Sequence, residues 1–287
     1  MPAGLIARAA RPSVRVMSTY AFSPEWEAER QRLACLDALW DRASRRALET
    51  AGVPRGAACL DVGAGDGSVA RLLAELVGER GRVVALDRDV RFLDPAGLPS
   101  TVEVCERDLL TDGMPSGSFD LVHARMVLSH LPERDAVLDD LVSLLAPGGR
   151  ILLSEFDAEG AGVVEPVPPD AAGRFQRVHD AVVAVLASKG GDSRWAHWMP
   201  AALASRGLTG IGAVVDGELV RGATPISTFY QHTFQRLREP MLATTPVTAE
   251  LFDRVHAALD DPEFVALAAP LVSVWGQRPV EAITAGA

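Results

Sequence analysis

The chain predicts an α/β fold, a doubly wound and mainly parallel sheet with helical insertions. Three observations carry this. Short apolar runs alternate with helix-period segments at 57–61, 68–78, 82–87, 102–105, 119–124, 133–145 and 150–155. Such alternation places helices on both faces of a parallel sheet. The strand ends carry polar or charged residues, Asp61, Asp87, Asp108, His123 and Glu155, which should share one rim, where ligands bind in open α/β sheets. Between the first strand and the first core helix lies Asp61-Val62-Gly63-Ala64-Gly65-Asp66-Gly67-Ser68. Glycine there permits positive φ and close approach of a ligand.

The elements follow in order. Residues 23–55 hold one long helix. Ser23 is placed as N-cap and Pro24 as the first helical residue, and Gly52 with Pro54 ends it. Trp26, Leu33, Leu36, Leu39 and Trp40 give it a buried stripe, and it can fold over a ligand at the rim. After the glycine turn, Gly81–Asp87 and Val102–Asp108 are strands two and three. Phe119–Arg125 is strand four, after the turn cluster Pro115–Ser118, and Ala146–Arg150 leads into strand five, Ile151–Glu155. The rhythm breaks after Glu155. Gly160–Pro169 reads as loop, Asp170–Ser188 as helix, and Ser193–Arg206 as a helix broken near Met199-Pro200. Ile211–Val215 and Glu218–Arg221 read as strands around a tight Asp216-Gly217 turn. Residues 226–240 and 248–259 are helices, and Leu271–Trp275 is the last strand.

Spacing narrows the ligand. A dinucleotide fingerprint is Gly-x-Gly-x-x-Gly, but the third glycine here comes one residue early. The observed Asp-x-Gly-x-Gly-x-Gly resembles the cofactor loop of class I S-adenosylmethionine (SAM)-dependent methyltransferases. The acids after strands two and three and the phrase Leu145-Ala146-Pro147-Gly148-Gly149-Arg150-Ile151-Leu152 extend the resemblance over residues 56–157. It implies a Rossmann-like seven-stranded sheet with its last strand antiparallel, and SAM as cofactor. It also implies a cofactor site of Asp61, Gly63, Ala64, Gly65, Gly67, Asp87, Arg88, Asp108, Leu109, His123 and Arg125. Asp87 would meet the ribose hydroxyls and Asp108 the adenine amine. The parts expected are a flexible segment at 1–22, an N-terminal helical lid at 23–55 and the SAM-binding core at 56–157. A helical lid and acceptor region at 158–207 and the C-terminal part of the sheet, with a helical insertion, at 208–287 complete the chain.

Methyl transfer from a sulfonium is an in-line displacement that rests largely on positioning, with a base where the acceptor must lose a proton. His179 and His197 are the candidate bases. Trp195 and Trp198 are candidate acceptor-binding residues, able to stack on a planar ring, and Tyr20 and Trp26 are candidates to close the pocket. Each also reads as ordinary packing. His130 is expected to hold the loop after strand four. A magnesium site of the catechol-methyltransferase kind is not expected, because strand four ends in His123-Ala124-Arg125 rather than a carboxylate.

Composition bounds the partners. Formal net charge is −10 with no basic stripe, which disfavours a nucleic-acid substrate. Cys35, Cys59 and Cys105 have no metal-ligand spacing and suit a reducing cytoplasm. No apolar run reaches membrane-spanning length. Arg8, Arg11 and Arg15, without an acid before Glu25, suit a transit peptide, but an over-long N-terminus with Met17 as alternative start is the preferred reading. The expectation is a cytoplasmic enzyme that methylates a small molecule of secondary metabolism and releases S-adenosylhomocysteine (SAH). It has no nucleic-acid or membrane partner and is compatible with a homo-oligomer. A SAM-binding protein with another reaction, a protein or RNA methyltransferase, and a nicotinamide oxidoreductase stand as alternatives.

Overall fold

A computed structural model describes residues 28–160, 162–163 and 169–280. The strands are β1 (Ala58–Val62), β2 (Arg82–Asp87), β3 (Val102–Glu106), β4 (Phe119–Arg125), β5 (Leu145–Phe156), β6 (Gly162–Val163), β7 (Thr209–Asp216), β8 (Leu219–Arg221), β9 (Val265–Leu267) and β10 (Leu271–Gln277). The helices are α1 (Ala28–Ala51), α2 (Ser68–Val77), α3 (Arg134–Ser143), α4 (Pro169–Ser188), α5 (Trp195–Ala204), α6 (Pro225–Thr244) and α7 (Ala249–Ala258).

Seven strands form the main sheet in the order β3-β2-β1-β4-β5-β10-β7. β1 to β5 are mutually parallel, and β10 is antiparallel to both β5 and β7. Six strands therefore share one direction, with the last strand of the chain inserted against them. The central strands are apolar on both faces because both are covered. Leu60, Val62, Val122 and Ile151 pack under Leu138 and Leu141 of α3 and Met199 and Leu203 of α5. Cys59, Val83, Leu121 and Leu152 face α1 and α2. β3 is an edge strand, and Cys105 on it is only half-buried.

A second apolar core forms a cap. It joins Leu36, Trp40 and Ala43 of α1 to Phe175 and Val182 of α4, Phe229 and Phe234 of α6, Phe252 of α7 and Ala266 of the three-stranded sheet β6-β9-β8. α1 serves both cores, since its later turn, Ala47 and Leu48, packs on the main sheet.

Two elements differ from the sequence reading. α5 is not broken at Met199-Pro200; Pro200 lies inside it. Met199 and Leu203 are fully buried against the sheet, and that packing outweighs the missing backbone donor. α5 therefore belongs to the sheet and not to the lid. Asp216-Gly217 does not close a hairpin, because β7 pairs with β10 and β8 with β9. The dipeptide carries the chain from the main sheet into the cap sheet. Ser23 and Pro24, the proposed helix start, lie outside the described residues.

Candidate active site

The glycine turn is fixed by backbone. Gly63 and Ala64 donate to the Leu86 carbonyl at 2.8 and 3.0 Å, so the turn leaves β1 pinned to the end of β2. Gly63, Gly65 and Gly67 have φ of +69°, +60° and +87°, the left-handed region that costs other residues about 1–2 kcal/mol. A Cβ on Gly63 would lie 2.4 Å from Val127, and one on Gly67 would lie 2.8 Å from Leu93. One on Gly65 would meet nothing closer than Leu33 at 3.8 Å. The face of Gly65 is thus left open toward a cavity.

That cavity has a volume of about 1000 Å³. At the rim it is lined by Gly63, Ala64, Gly65, Asp87, Arg88, Asp108, Leu109 and Arg125, eight of the eleven predicted cofactor residues. The Asp87 carboxylate accepts the N–H of Gly65 at 2.9 Å through one oxygen and that of Asp89 at 3.0 Å through the other. Burial raises its pKa, and those two N–H groups oppose the rise. Each oxygen keeps a lone pair, so the carboxylate can still receive two hydroxyls. Asp108 closes a small turn by accepting the Leu110 N–H at 2.9 Å.

Asp61, Gly67 and His123, the other three, do not line the cavity. Asp61 and His123 face each other across β1 and β4, 2.8 Å apart and fully buried beneath the glycine turn.

Arg125 links the rim to α1. Its guanidinium donates to Asp41 at 2.9 Å and Ser44 at 3.0 Å, and to Asp37 at 2.9 Å and Ser68 at 3.0 Å. Asp37 nevertheless has its pKa pushed up to about 7, first by burial and then by its hydrogen bond to Asp66. Arg125 and Ser68 oppose that rise. Met126, next along, holds a positive φ of +57°, a strained conformation of the kind that clusters at functional sites. Glu155 at the end of β5 is buried. It accepts the N–H groups of Val127, Leu128 and Ser129 at 3.2, 2.8 and 3.2 Å and the Ser129 hydroxyl at 2.7 Å. Burial pushes its pKa up to about 7. It fixes the turn that carries His130, whose pKa burial lowers to about 4.

On the cap side, His179 lines the cavity. It is buried, with its ring stacked on Phe175 and 6.4 Å from the Tyr230 ring. Burial lowers its pKa. The other acceptor candidates on α5 lie elsewhere. Trp195 is buried in the sheet core with Met199 and Leu203. Trp198 is 51% exposed. His197 is half-exposed and pairs with Asp157 at 3.0 Å. None of the three lines the cavity, because α5 packs on the main sheet. Tyr20 and Trp26 lie outside the described residues. Among the described residues, no group of three or more His, Cys, Asp or Glu is placed to hold a metal ion.

The sequence reading missed Phe229, Tyr230, Thr233 and Phe234 of α6 and the Glu29–Arg32 pair of α1, all of which line the cavity. The aromatic cluster in the 222–262 insertion was the available signal. Phe229 and Tyr230 are adjacent, and Phe234 follows about one turn later.

The family model of a methyltransferase domain matches residues 26–205, more than half of the chain. The chain belongs to this family. Its sheet is that of the class I SAM-dependent methyltransferases. It is similar to the ubiquinone/menaquinone biosynthesis C-methyltransferases UbiE of Hahella chejuensis (30% identity over 125 residues) and Pseudomonas putida (33% over 127). These matches cover 41% of this chain and 49% and 48% of those proteins, so the chain spans about half the length of the curated relatives it matches. Two solved structures share the fold. One is phosphoethanolamine N-methyltransferase 2 of Haemonchus contortus, in complex with phosphomonomethylethanolamine and SAH, at TM-score 0.55 and 16% identity, covering 92% of this chain and 61% of that one. The other is the YcgJ protein of Bacillus subtilis at TM-score 0.53 and 15% identity, covering 83% and 99%.

Proposed function

We propose that the protein is a SAM-dependent methyltransferase that methylates a small molecule of secondary metabolism and releases SAH. The observation that carries this is the continuity of the cavity. It runs from the glycine turn and Asp87 at the rim to His179 and Tyr230 in the cap, and its volume leaves room for an acceptor beside the cofactor. The residues fit SAM: the face of Gly65 is open, and the carboxylate of Asp87 can receive a ribose diol. When bound, SAM supplies an electrophilic methyl group on a sulfonium.

The chain's own groups have separable roles in this reading. Gly63–Gly65 give close backbone approach, Asp87 holds the ribose, and Asp108 with Leu109 borders the adenine. The cap excludes water and orients the acceptor, which is where most of the rate would arise. His179, kept neutral by burial, is the group in the cap able to take a proton from the acceptor. His197 has no such role in this reading. The likeness to C-methyltransferases of ubiquinone and menaquinone biosynthesis supports methyl transfer to a small molecule. No helix among the described residues is long and apolar enough to cross a membrane. The proposed reading is a cytoplasmic enzyme acting on a small molecule rather than a nucleic acid, which the net charge of −10 supports.

Calorimetry with SAH, then a methyl-transfer assay across acceptors, tests this. We expect SAH to bind, NAD not to bind, and methylated product and SAH to form in equal amounts. His179→Phe should lower kcat by about 10²-fold with little change in SAH affinity. SAH binding without transfer to any acceptor would favour a cofactor-binding protein with another reaction.

A further inference from the structure

The helix α1 is both a wall and a cover of the cavity. Glu29, Arg32, Leu33, Leu36 and Asp37 line it, and a Cβ built on Gly65 finds Leu33 as its nearest neighbour, at 3.8 Å. A ligand lying over the open face of Gly65 is therefore covered by α1. The last turns of α1, with Ala47 and Leu48, are packed on the main sheet, and its earlier Leu36 and Trp40 belong to the cap core. Between these two anchorages sits a polar clasp. Asp37, Asp41 and Ser44 meet the guanidinium of Arg125 from β4. Asp37 and Asp41 also lie 2.8 and 3.0 Å from the Ser68 hydroxyl at the start of α2.

The clasp is rich in carboxylates. Asp37 and Asp41 share the one guanidinium of Arg125. Asp66 of the glycine turn is hydrogen-bonded to Asp37, and its cation, Arg71 of α2, stands 3.6 Å away at an exposed position. An ionised carboxylate only accepts, so the Asp37–Asp66 bond exists only while the pair holds a proton. Burial, and then that bond, push the pKa of Asp37 up to about 7. With α1 lifted, Asp37 meets water and its pKa returns to about 4. Lifting therefore releases a proton. It becomes easier by up to about tenfold per unit as pH rises from about 4 to about 7, and gains nothing further above that. Other charged contacts of α1 lie on other turns: Arg45 with Glu75 of α2, Arg46 with Asp216 of β7, and the Glu29–Arg32 pair near His232 of α6. Glu155 of β5 lines the same cavity, with its own pKa at about 7.

Resting on the methyltransferase reading, we propose that α1 is a proton-operated gate for the cofactor: the proton shared by Asp37 and Asp66 clasps α1 onto the glycine turn, and its loss lets α1 lift so that SAM enters and SAH leaves. The gate sets the rate of exchange. While the open state stays a minor one, entry and exit quicken together and the dissociation constant is nearly unchanged.

The test follows release of radiolabelled SAH from the full-length protein, chased with excess unlabelled SAH, across about pH 5 to about pH 8.5. Calorimetry gives the dissociation constant at each pH. We expect the release rate to rise about tenfold or more between about pH 5 and about pH 7.5 and then level, while the dissociation constant moves by less than about threefold. Asp37→Asn gives Asp66 an amide donor that does not titrate, and Asp66→Asn does the same for Asp37. Each should remove most of the slope, and both keep Glu155 as it is. Thermal melts identify a variant that fails to fold, and the other variant then decides with the wild-type profile. A flat wild-type profile overturns the gate. So does the full wild-type slope in a folded variant. A fall in affinity as large as the gain in rate also overturns it, by making the pair a direct cofactor contact. Failure of SAH to bind wild type would instead overturn the methyltransferase reading.

Discussion

The two halves of the cavity are built by different means. At the rim, the ligand-facing surface is largely backbone and strand-end carboxylates: the turn Gly63–Gly65, the Asp87 carboxylate held by two N–H groups, and the Asp108 turn. These residues lie within one stretch of the chain, and the strand–turn–helix geometry places them. In the cap, the surface is side chain, contributed by α1, α4 and α6 from distant parts of the sequence. A rim of that kind suits a constant ligand, and a cap of that kind can be re-lined for different acceptors. Substitutions at the rim should therefore act on the cofactor, and substitutions in the cap on the acceptor.

The largest expected effect is at Gly65. Valine there would carry a branched side chain at φ +60° and project it into the cavity. We expect SAH binding to fall about 100-fold or more while the variant remains folded. Calorimetry on a variant with near-wild-type circular dichroism checks this, and SAH affinity within a few-fold of wild type would dissolve the distinction between rim and cap.

Next are the two tryptophans of α5. Trp195→Ala should cost about 3–5 kcal/mol of stability through the void it leaves among Met199 and Leu203. Trp198→Ala, at an exposed site, should stay within about 0.5 kcal/mol. Denaturant melts measure both. Neither should raise the acceptor KM, and a rise at Trp198 with unchanged stability would return α5 to the acceptor site.

Asp87→Ala should weaken SAM binding by about 1–3 kcal/mol, as two charge-assisted hydrogen bonds are lost. Turnover at saturating SAM should change less. An unchanged dissociation constant would move the ribose site elsewhere.

The smallest effect concerns the seam between the halves. Asp37 has a folded pKa raised to about 7, so the folded state holds this proton more tightly than the unfolded chain does. Its contribution favours folding at low pH and is lost as pH rises from about 4 to 7. Asp37→Asn keeps an oxygen for Arg125 but removes the titration. Its melting temperature should fall less than that of wild type between pH 5 and 8, with Glu155, also raised to about 7, leaving a residual slope. Parallel curves for the two proteins would show that Asp37 carries no such proton.

The sequence by itself determined the succession of strands and helices in the core, the glycine turn and the acids at the rim. Each is a local pattern: apolar runs at strand length, glycines where φ must be positive, carboxylates at strand ends. The seven-stranded sheet with its last strand antiparallel came from the resemblance those patterns carry, and the order β3-β2-β1-β4-β5-β10-β7 from the tertiary structure. His179 was legible as a titratable residue in an insertion, but its place in the cavity was not. His197, Trp195 and Trp198 looked like better company for it, being close in sequence. Only the tertiary structure decided otherwise, because α4 joins α1 and α6 in the cap while α5, a few residues later, lies on the main sheet. The Glu29–Arg32 pair and Thr233 were invisible for the same reason. A side chain's partner across a helix interface depends on how two remote amphipathic faces pack, and one helix's periodicity names the buried face without naming what it meets.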